Sequence, residues 1–196
     1  MTLRLLIGSG NRDKLVEYRE ILAGLDLELV APSDLDPVPA EPAEEAPSFE
    51  ENARSKALGY ARATGLVTLA DDSGLEVDAL RGAPGVRSRR FFGDDATAVE
   101  RNAALLALLD GVVDRRARFV CVAVLAFPDG RAESFRGECA GAVAEAARGS
   151  NGFGYDPVFL LADGRTMGEL PPAEKHGLSH RGVAGRLVRA RLTRGV

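Results

Sequence analysis

The chain has no tryptophan, two methionines and only two cysteines in 196 residues. Cys121 and Cys139 are too few for a disulfide framework or a Cys-only metal site. Cys121 lies inside an apolar run, where a thiol behaves as a small buried hydrophobe. That usage fits a reducing, cytoplasmic setting. No apolar stretch approaches the roughly 20 residues that span a bilayer; the longest, Phe119 to Phe127, has nine. The opening Met1-Thr2-Leu3-Arg4 lacks the basic head, apolar centre and small-residue cleavage site of a signal peptide. Membrane and secreted readings are therefore set aside. Base is also not in excess: 25 Lys and Arg stand against 29 Asp and Glu, a net charge of −4. A broad grip on nucleic acid is excluded on that balance.

What is present is globular. A 45% share of hydrophobic residues and 28% of charged ones excludes a disordered chain. Charge is placed unevenly: ten acids and no Lys or Arg lie between Glu20 and Ala53, and six bases with no acid follow Glu174. Charged partners would meet local patches.

Leu3 to Ile7 reads as a strand, Gly8-Ser9-Gly10-Asn11 as a turn, and the next segment as a helix capped by Asn11 with Leu15, Tyr18, Leu22 and Leu25 on one face. Residues 31–47 hold five of the ten prolines and read as a loop. Ser48 with Glu51 forms a capping box, opening a helix that buries Phe49, Ala53, Ala57 and Tyr60 and stops at Gly65. A short strand, Leu66 to Ala70, then ends at Asp71-Asp72-Ser73-Gly74. The alternating Leu75 to Leu80 follows, with a turn at Gly82-Ala83-Pro84-Gly85. A helix from about Asp95 to Leu109 is expected to bury Val99, Ala103, Leu106 and Leu109. Phe119–Phe127 reads as a strand buried on both faces, turned by Pro128-Asp129-Gly130 into a hairpin with Ala132–Phe135. Pro157–Leu161 is a further strand, and a last helix from Ser179 is expected to bury Val183, Leu187 and Ala190. With no repeat and no splitting linker, residues 1–196 read as a single α/β domain.

Four places carry chemistry. The loop Ser9-Gly10-Asn11 leads from a strand into a helix N-terminus, which favours an anion, and Lys14 adds a point charge. It is neither a Walker A loop nor a dinucleotide fingerprint; alone it equally describes a capped turn. Asp71 and Asp72 repel each other at a sheet end, which suits a divalent cation such as Mg²⁺ bound through carboxylates and substrate phosphate. Alone they also describe an acidic turn. Gly152-Phe153-Gly154-Tyr155-Asp156 offers flat aromatic faces for a base, or a turn with its rings in the core. His176 and His180 are four apart, but Gly177 and the Ser179 cap between them argue against a zinc-binding helix. A Ser/His/Asp hydrolase lacks its G-x-S-x-G element. Taken together, the four places describe a nucleotide phosphate with Mg²⁺.

The set Ser9-Gly10-Asn11…Lys14…Glu17, Ser48-Phe49-Glu50-Glu51-Asn52-Ala53…Lys56-Ala57, Ala70-Asp71-Asp72-Ser73-Gly74-Leu75, Gly82-Ala83-Pro84-Gly85, Gly152-Phe153-Gly154-Tyr155-Asp156-Pro157 and Ser179-His180-Arg181-Gly182 resembles the inosine/xanthosine triphosphate pyrophosphatase (Ham1-like) family, in the family's order. The resemblance implies a mixed central sheet with flanking helices, two lobes around a substrate groove, and a homodimer. It implies Mg²⁺-dependent hydrolysis of ITP, dITP and XTP to the monophosphate and pyrophosphate. Carried over, Ser9, Gly10, Asn11, Lys14 and Lys56 hold the triphosphate. Asp72 activates water and binds metal with Asp71, and Ser73 touches substrate. Phe153, Gly154, Tyr155 and Asp156 hold the base and sugar; Lys175, His180 and Arg181 read the purine. Ser9 replaces a usual threonine, and Asp13 stands where glycine is common, so it is expected to face solvent. The loop before Ser48 reads as one residue short, which puts the metal-side glutamate at Glu45, with Glu44 the alternative. A nucleotide pyrophosphatase of different base preference, or a non-catalytic nucleotide-binding protein, are the competing readings.

Overall fold

The structure, a computed structural model, describes residues 2–195. Leu3–Ile7 forms β1, with Leu5, Leu6 and Ile7 buried. Leu27–Val30 (β2) pairs parallel with it on one side, and Val67–Val77 (β3) pairs parallel on the other. Arg116–Ala126 (β4), Ala132–Val143 (β5) and Phe159–Leu160 (β6) complete a six-stranded sheet of order β2-β1-β3-β4-β5-β6. The last pair, β5 and β6, is antiparallel, so the sheet is mixed and the fold is α/β. Five helices accompany it among the described residues: α1 (Arg12–Ile21), α2 (Phe49–Thr64), α3 (Ala98–Leu108), α4 (Pro172–Leu178) and α5 (His180–Leu192).

The chain divides into two compact units. The first comprises Met1–Asp72, Cys121–Gly137 and Arg181–Val196; its core joins Leu5, Tyr18, Leu69, Cys121, Leu125 and Val188. The second comprises Ser73–Val120 and Glu138–His180, with a core built on Leu75, Leu105, Phe119, Tyr155, Phe159 and Met167. The boundaries fall inside β3, β4, β5 and the start of α5, so no linker marks the division.

The helix starts follow local chemistry. Asn11 accepts from the Asp13 and Lys14 N–H groups, and the Ser48 hydroxyl accepts from Glu51 N–H, so first-turn donors are satisfied before tertiary contacts form. Gly65 closes α2 in the left-handed conformation.

Elsewhere the structure departs from the sequence pattern. Asp71 to Gly74 is no turn: β3 continues through it, beyond its pairing with β1 at Val67–Leu69 and in a strand that also neighbours β4, despite the weak strand preference of Asp and Gly. β2 and α4 were not expected from the pattern, and β5 runs far beyond Phe135. α3 buries Asn102, Leu105 and Leu109, leaving Val99 78% exposed. α5 begins at His180 and buries Arg181, Ala184 and Val188, while Leu187 is 46% exposed and Ala190 lies on the surface. The physical reason at α5 is a buried charge at its first turn, described next, and Gly185, where any Cβ would run into the Ile21 side chain.

Candidate active site

In the first unit, consecutive residues of β3 project to opposite faces, and Asp71 and Asp72 have different hydrogen-bond partners. Asp71 Oδ2 accepts from Arg181 Nη2 at 3.0 Å, lies 3.1 Å from Lys14 Nζ, and meets the Cys121 thiol at 3.6 Å. Arg181 donates its other terminal nitrogen to Glu17 at 2.7 Å. This Glu17–Arg181–Asp71–Lys14 chain is almost wholly enclosed, with Arg181 only 1% exposed. Asp72 Oδ2 instead accepts from Asn52 Nδ2 at 3.0 Å, and Asn52 also exchanges two hydrogen bonds with the Ala46 backbone. One turn further along α2, Lys56 pairs with Glu44.

These settings push the two neighbouring carboxyls apart. Burial drives the Asp71 carboxyl upward, but Arg181, Lys14 and Lys56 outweigh it and hold the group well below the carboxylate range. Burial also drives Asp72 upward, Glu44 adds repulsion, and Lys14, Asn52 and Lys56 only partly compensate, so its value ends raised. Lys56, though desolvated, is raised by Asp71 and Glu44 and stays protonated. Burial, then Asp71, keeps the Cys121 thiol neutral. Such divergence between adjacent acids separates a fixed counter-ion from a group able to take a proton.

The phosphate-loop candidates lie in the same unit. Ser9 is buried and its hydroxyl accepts from Asn11 N–H at 3.1 Å; Gly10 and Asp13 are exposed. Glu41 reaches over this loop, with a carboxylate oxygen 3.0 Å from where a Cβ on Gly10 would stand. With Glu44 it also raises the Tyr60 hydroxyl, already lifted by burial, to about 12.

In the second unit, Asp156 Oδ2 accepts from Phe153 N–H at 2.7 Å and from Lys175 Nζ at 2.6 Å. The same ammonium lies 4.7 Å from the centre of the half-buried Phe153 ring, a cation–π contact. Gly152 has φ +71°, and a Cβ there would collide with the Asp156 carboxylate, so this turn requires glycine. Gly154 carries φ +63°, and its carbonyl accepts from Asn102 Nδ2 at 3.0 Å. Tyr155 is anchored in the core, donating to the Ser88 carbonyl at 2.8 Å. His180 stacks on Phe119 with ring centres 4.6 Å apart. Ser73 is half-buried on β3.

The structure places the remaining candidates as follows. Asp71, expected beside the metal, lies between Arg181 and Lys14. Arg181, expected on the purine, is hydrogen-bonded to Glu17 and Asp71. Tyr155 is a core anchor. Of the two loop glutamates, Glu44 reaches Lys56 and bears on Asp72, while Glu45 is exposed. His176 ends one helix and His180 starts the next, so their spacing of four is not a helical pair. Sequence reasoning gave no role to Asn52, Glu17 or Asn102. Asn52 and Lys56 were legible as an i, i+4 polar pair on the apolar face of α2; the others had no local signal.

No group of three or more His, Cys, Asp or Glu side chains is arranged to hold a metal ion among the described residues. Asp72 and Glu44 nevertheless suit Mg²⁺, which needs one or two carboxylates when substrate phosphate and water supply the rest. A divalent cation between two such carboxylates offsets their like charge.

A family model for the Ham1 family matches residues 5–191. A protein named dITP/XTP pyrophosphatase from Frankia alni is 50% identical, with 94% of each chain covered. One of the same name from Symbiobacterium thermophilum is 48% identical, covering 92% of this chain and 90% of its own. Among solved structures, a HAM1 protein from Coxiella burnetii superposes with a TM-score of 0.89 at 38% identity, covering 98% of this chain and all of that one. The Staphylococcus aureus Ham1 protein gives 0.87 at 36%, with 98% of this chain and all of that one covered.

Proposed function

The chain belongs to the Ham1 family, and from that premise we propose that it hydrolyses the non-standard purine triphosphates ITP, dITP and XTP to monophosphate and pyrophosphate. The observation that carries this reading is geometric: on one strand, Asp71 is clamped by Arg181 and Lys14, whereas Asp72 is hydrogen-bonded by Asn52 of α2.

In this reading Asp72 accepts the proton of the attacking water, a task its raised carboxyl suits better than an ordinary aspartate. Asn52 holds one of its oxygens and so orients the other. Asp71 stays ionised and keeps Lys14 and Arg181 in place. Lys14 and the Ser9–Asn11 loop receive the triphosphate, with Lys56 adding charge. Asp72 and Glu44 would hold Mg²⁺, which when bound withdraws charge from the phosphoryl oxygens. Phe153 offers a face to the purine, while Lys175 and His180 supply donors for a 6-oxo group. Adenine has an amine there and would leave such donors unpaired, which is the physical basis for rejecting it.

The resemblance also carries a cytoplasmic setting and a homodimer; light scattering at twice the 20.7 kDa chain mass tests the latter. The function itself is tested by pyrophosphate release from ITP, dITP and XTP with Mg²⁺, beside dGTP and ATP and with EDTA controls. Release from the first three alone, abolished by EDTA, supports the reading. Equal release from ATP points to a pyrophosphatase of other base preference, and binding without release to a non-catalytic protein.

A further inference from the structure

Helix α3 buries Asn102 on the same face as Leu105, with Leu109 at its C-cap. Val99, Ala103 and Leu106 make a continuous helical stripe, yet Val99 is 78% exposed and Asn102 is 6% exposed on the core face. Leaving a valine in water while burying an amide loses free energy twice. The amide is also only half satisfied: Nδ2 donates to the Gly154 carbonyl at 3.0 Å, whereas Oδ1 has no hydrogen-bond partner among the described residues. The assignment of nitrogen and oxygen is forced, because a carbonyl needs a donor. A leucine of similar volume would carry no orphaned oxygen. A buried polar group kept against both propensity and hydrogen-bond economy marks a functional constraint.

The group it constrains is the glycine turn. Gly152 and Gly154 both sit at positive φ, so the backbone between them has few conformational barriers of its own. Asp156 holds the Phe153 N–H, and Tyr155 anchors the far side on Ser88. Only the Asn102 amide holds the Gly154 carbonyl among the described residues. We propose that Asn102 is a positioning residue: Asp156 holds the Phe153 N–H with its carboxylate and the Phe153 carbonyl with its own N–H, and Asn102, by fixing the Gly154 carbonyl, locks the Gly154–Tyr155 peptide that follows, so that the Phe153 ring, with Lys175 over it, is presented to the purine before the nucleotide arrives. This rests on the reading that the turn receives the base.

The test uses the full-length protein with Asn102→Leu and Asn102→Asp, which both lack the donor, and Phe153→Ala as a control. The readouts are KM and kcat for ITP, inhibition by inorganic pyrophosphate, and melting temperature. Loss of one positioning hydrogen bond is expected to raise the ITP KM about tenfold in both Asn102 variants, with a smaller change in kcat. Pyrophosphate, which has no base, should inhibit them as it does the parent, and Asn102→Leu should melt no lower. An unchanged KM in Asn102→Leu and Asn102→Asp beside a raised KM in Phe153→Ala would overturn the positioning role alone. An unchanged KM in Phe153→Ala would overturn the base-side reading and this proposal with it. Weakened pyrophosphate inhibition together with a lowered melting temperature would reduce Asn102 to a structural residue. Should Asn102→Leu not fold, Asn102→Asp decides by the same KM comparison.

Discussion

The carboxylate cluster of the first unit and the glycine turn of the second are built by different means. Around Asp71 and Asp72, charge is held by charge: Glu17, Arg181, Lys14, Lys56 and Glu44 are partly or wholly buried and set one another's ionisation. Around Phe153, backbone is held by single polar side chains: Asn102 on one carbonyl and Asp156 on one N–H, with Tyr155 anchoring the far side on Ser88. Chemistry at a phosphoanhydride needs tuned protonation and fixed charge, whereas recognising a flat base needs a fixed shape. The first arrangement should therefore fail through charge, the second through geometry.

Asp72→Asn should give the largest effect. Removing the proton acceptor is expected to lower kcat by about 10²- to 10⁴-fold, measured as pyrophosphate release from ITP. Because the fold favours the neutral form of Asp72, its melting temperature should equal or exceed that of the parent. Asp71→Asn should behave in the opposite way. It leaves Arg181 and Lys14 without their shared counter-ion, which costs about 3–5 kcal/mol of stability for a buried pair, read from urea unfolding. A variant with parental stability would show that Asp71 is not the keystone of that cluster.

Gly152→Ala tests geometry in the second region. Strain at positive φ and the clash with Asp156 should disturb the Phe153 and Lys175 bonds, raising the KM for ITP about tenfold while leaving pyrophosphate inhibition intact. If inhibition weakens equally, the two regions are not as separable as this comparison holds. The smallest effect is in pH. The Asp71 carboxyl is depressed below its ordinary value of 3.8, so its stabilisation is present above that value and lost as pH falls through the native one. Asp72 runs the other way: its raised value means stability is fully present below 3.8 and declines as pH rises through the native value. Thermal melts from pH 6 downward should thus show a shallower acid loss in Asp71→Asn than in the parent.

The legible parts of the fold are those settled by neighbours in sequence. The Asn11 and Ser48 caps, the Gly65 stop, the buried β4 run and the turn at Pro128-Asp129-Gly130 all rest on groups within a few residues. The apolar stripe of α2 was legible as well, because Phe49, Ala53, Ala57 and Tyr60 keep helical spacing from the Ser48 cap. For α3 and α5 the stripe misled by part of a turn. In each, a polar side chain, Asn102 or Arg181, lies on the buried face and bonds a distant partner, Gly154 or Asp71, that no local pattern contains. The candidate site divides in the same way: Asp72, Lys14, Lys56 and the glycine turn stand in motifs, but the division of work between Asp71 and Asp72 does not.

By itself the sequence determined the family, the α/β class, the helix starts and the set of groups available for a phosphate, a cation and a base. Those follow from local hydrogen bonding, periodicity and motif content. The tertiary structure decided that Asp71 is clamped by Arg181 and Lys14 while Asp72 is held by Asn52, that Glu44 rather than Glu45 pairs with Lys56, and which faces α3 and α5 turn inward. The physical reason is that a buried charge or amide takes its state from partners far away in the chain, here Arg181 for Asp71 and Gly154 for Asn102, and no local rule contains them.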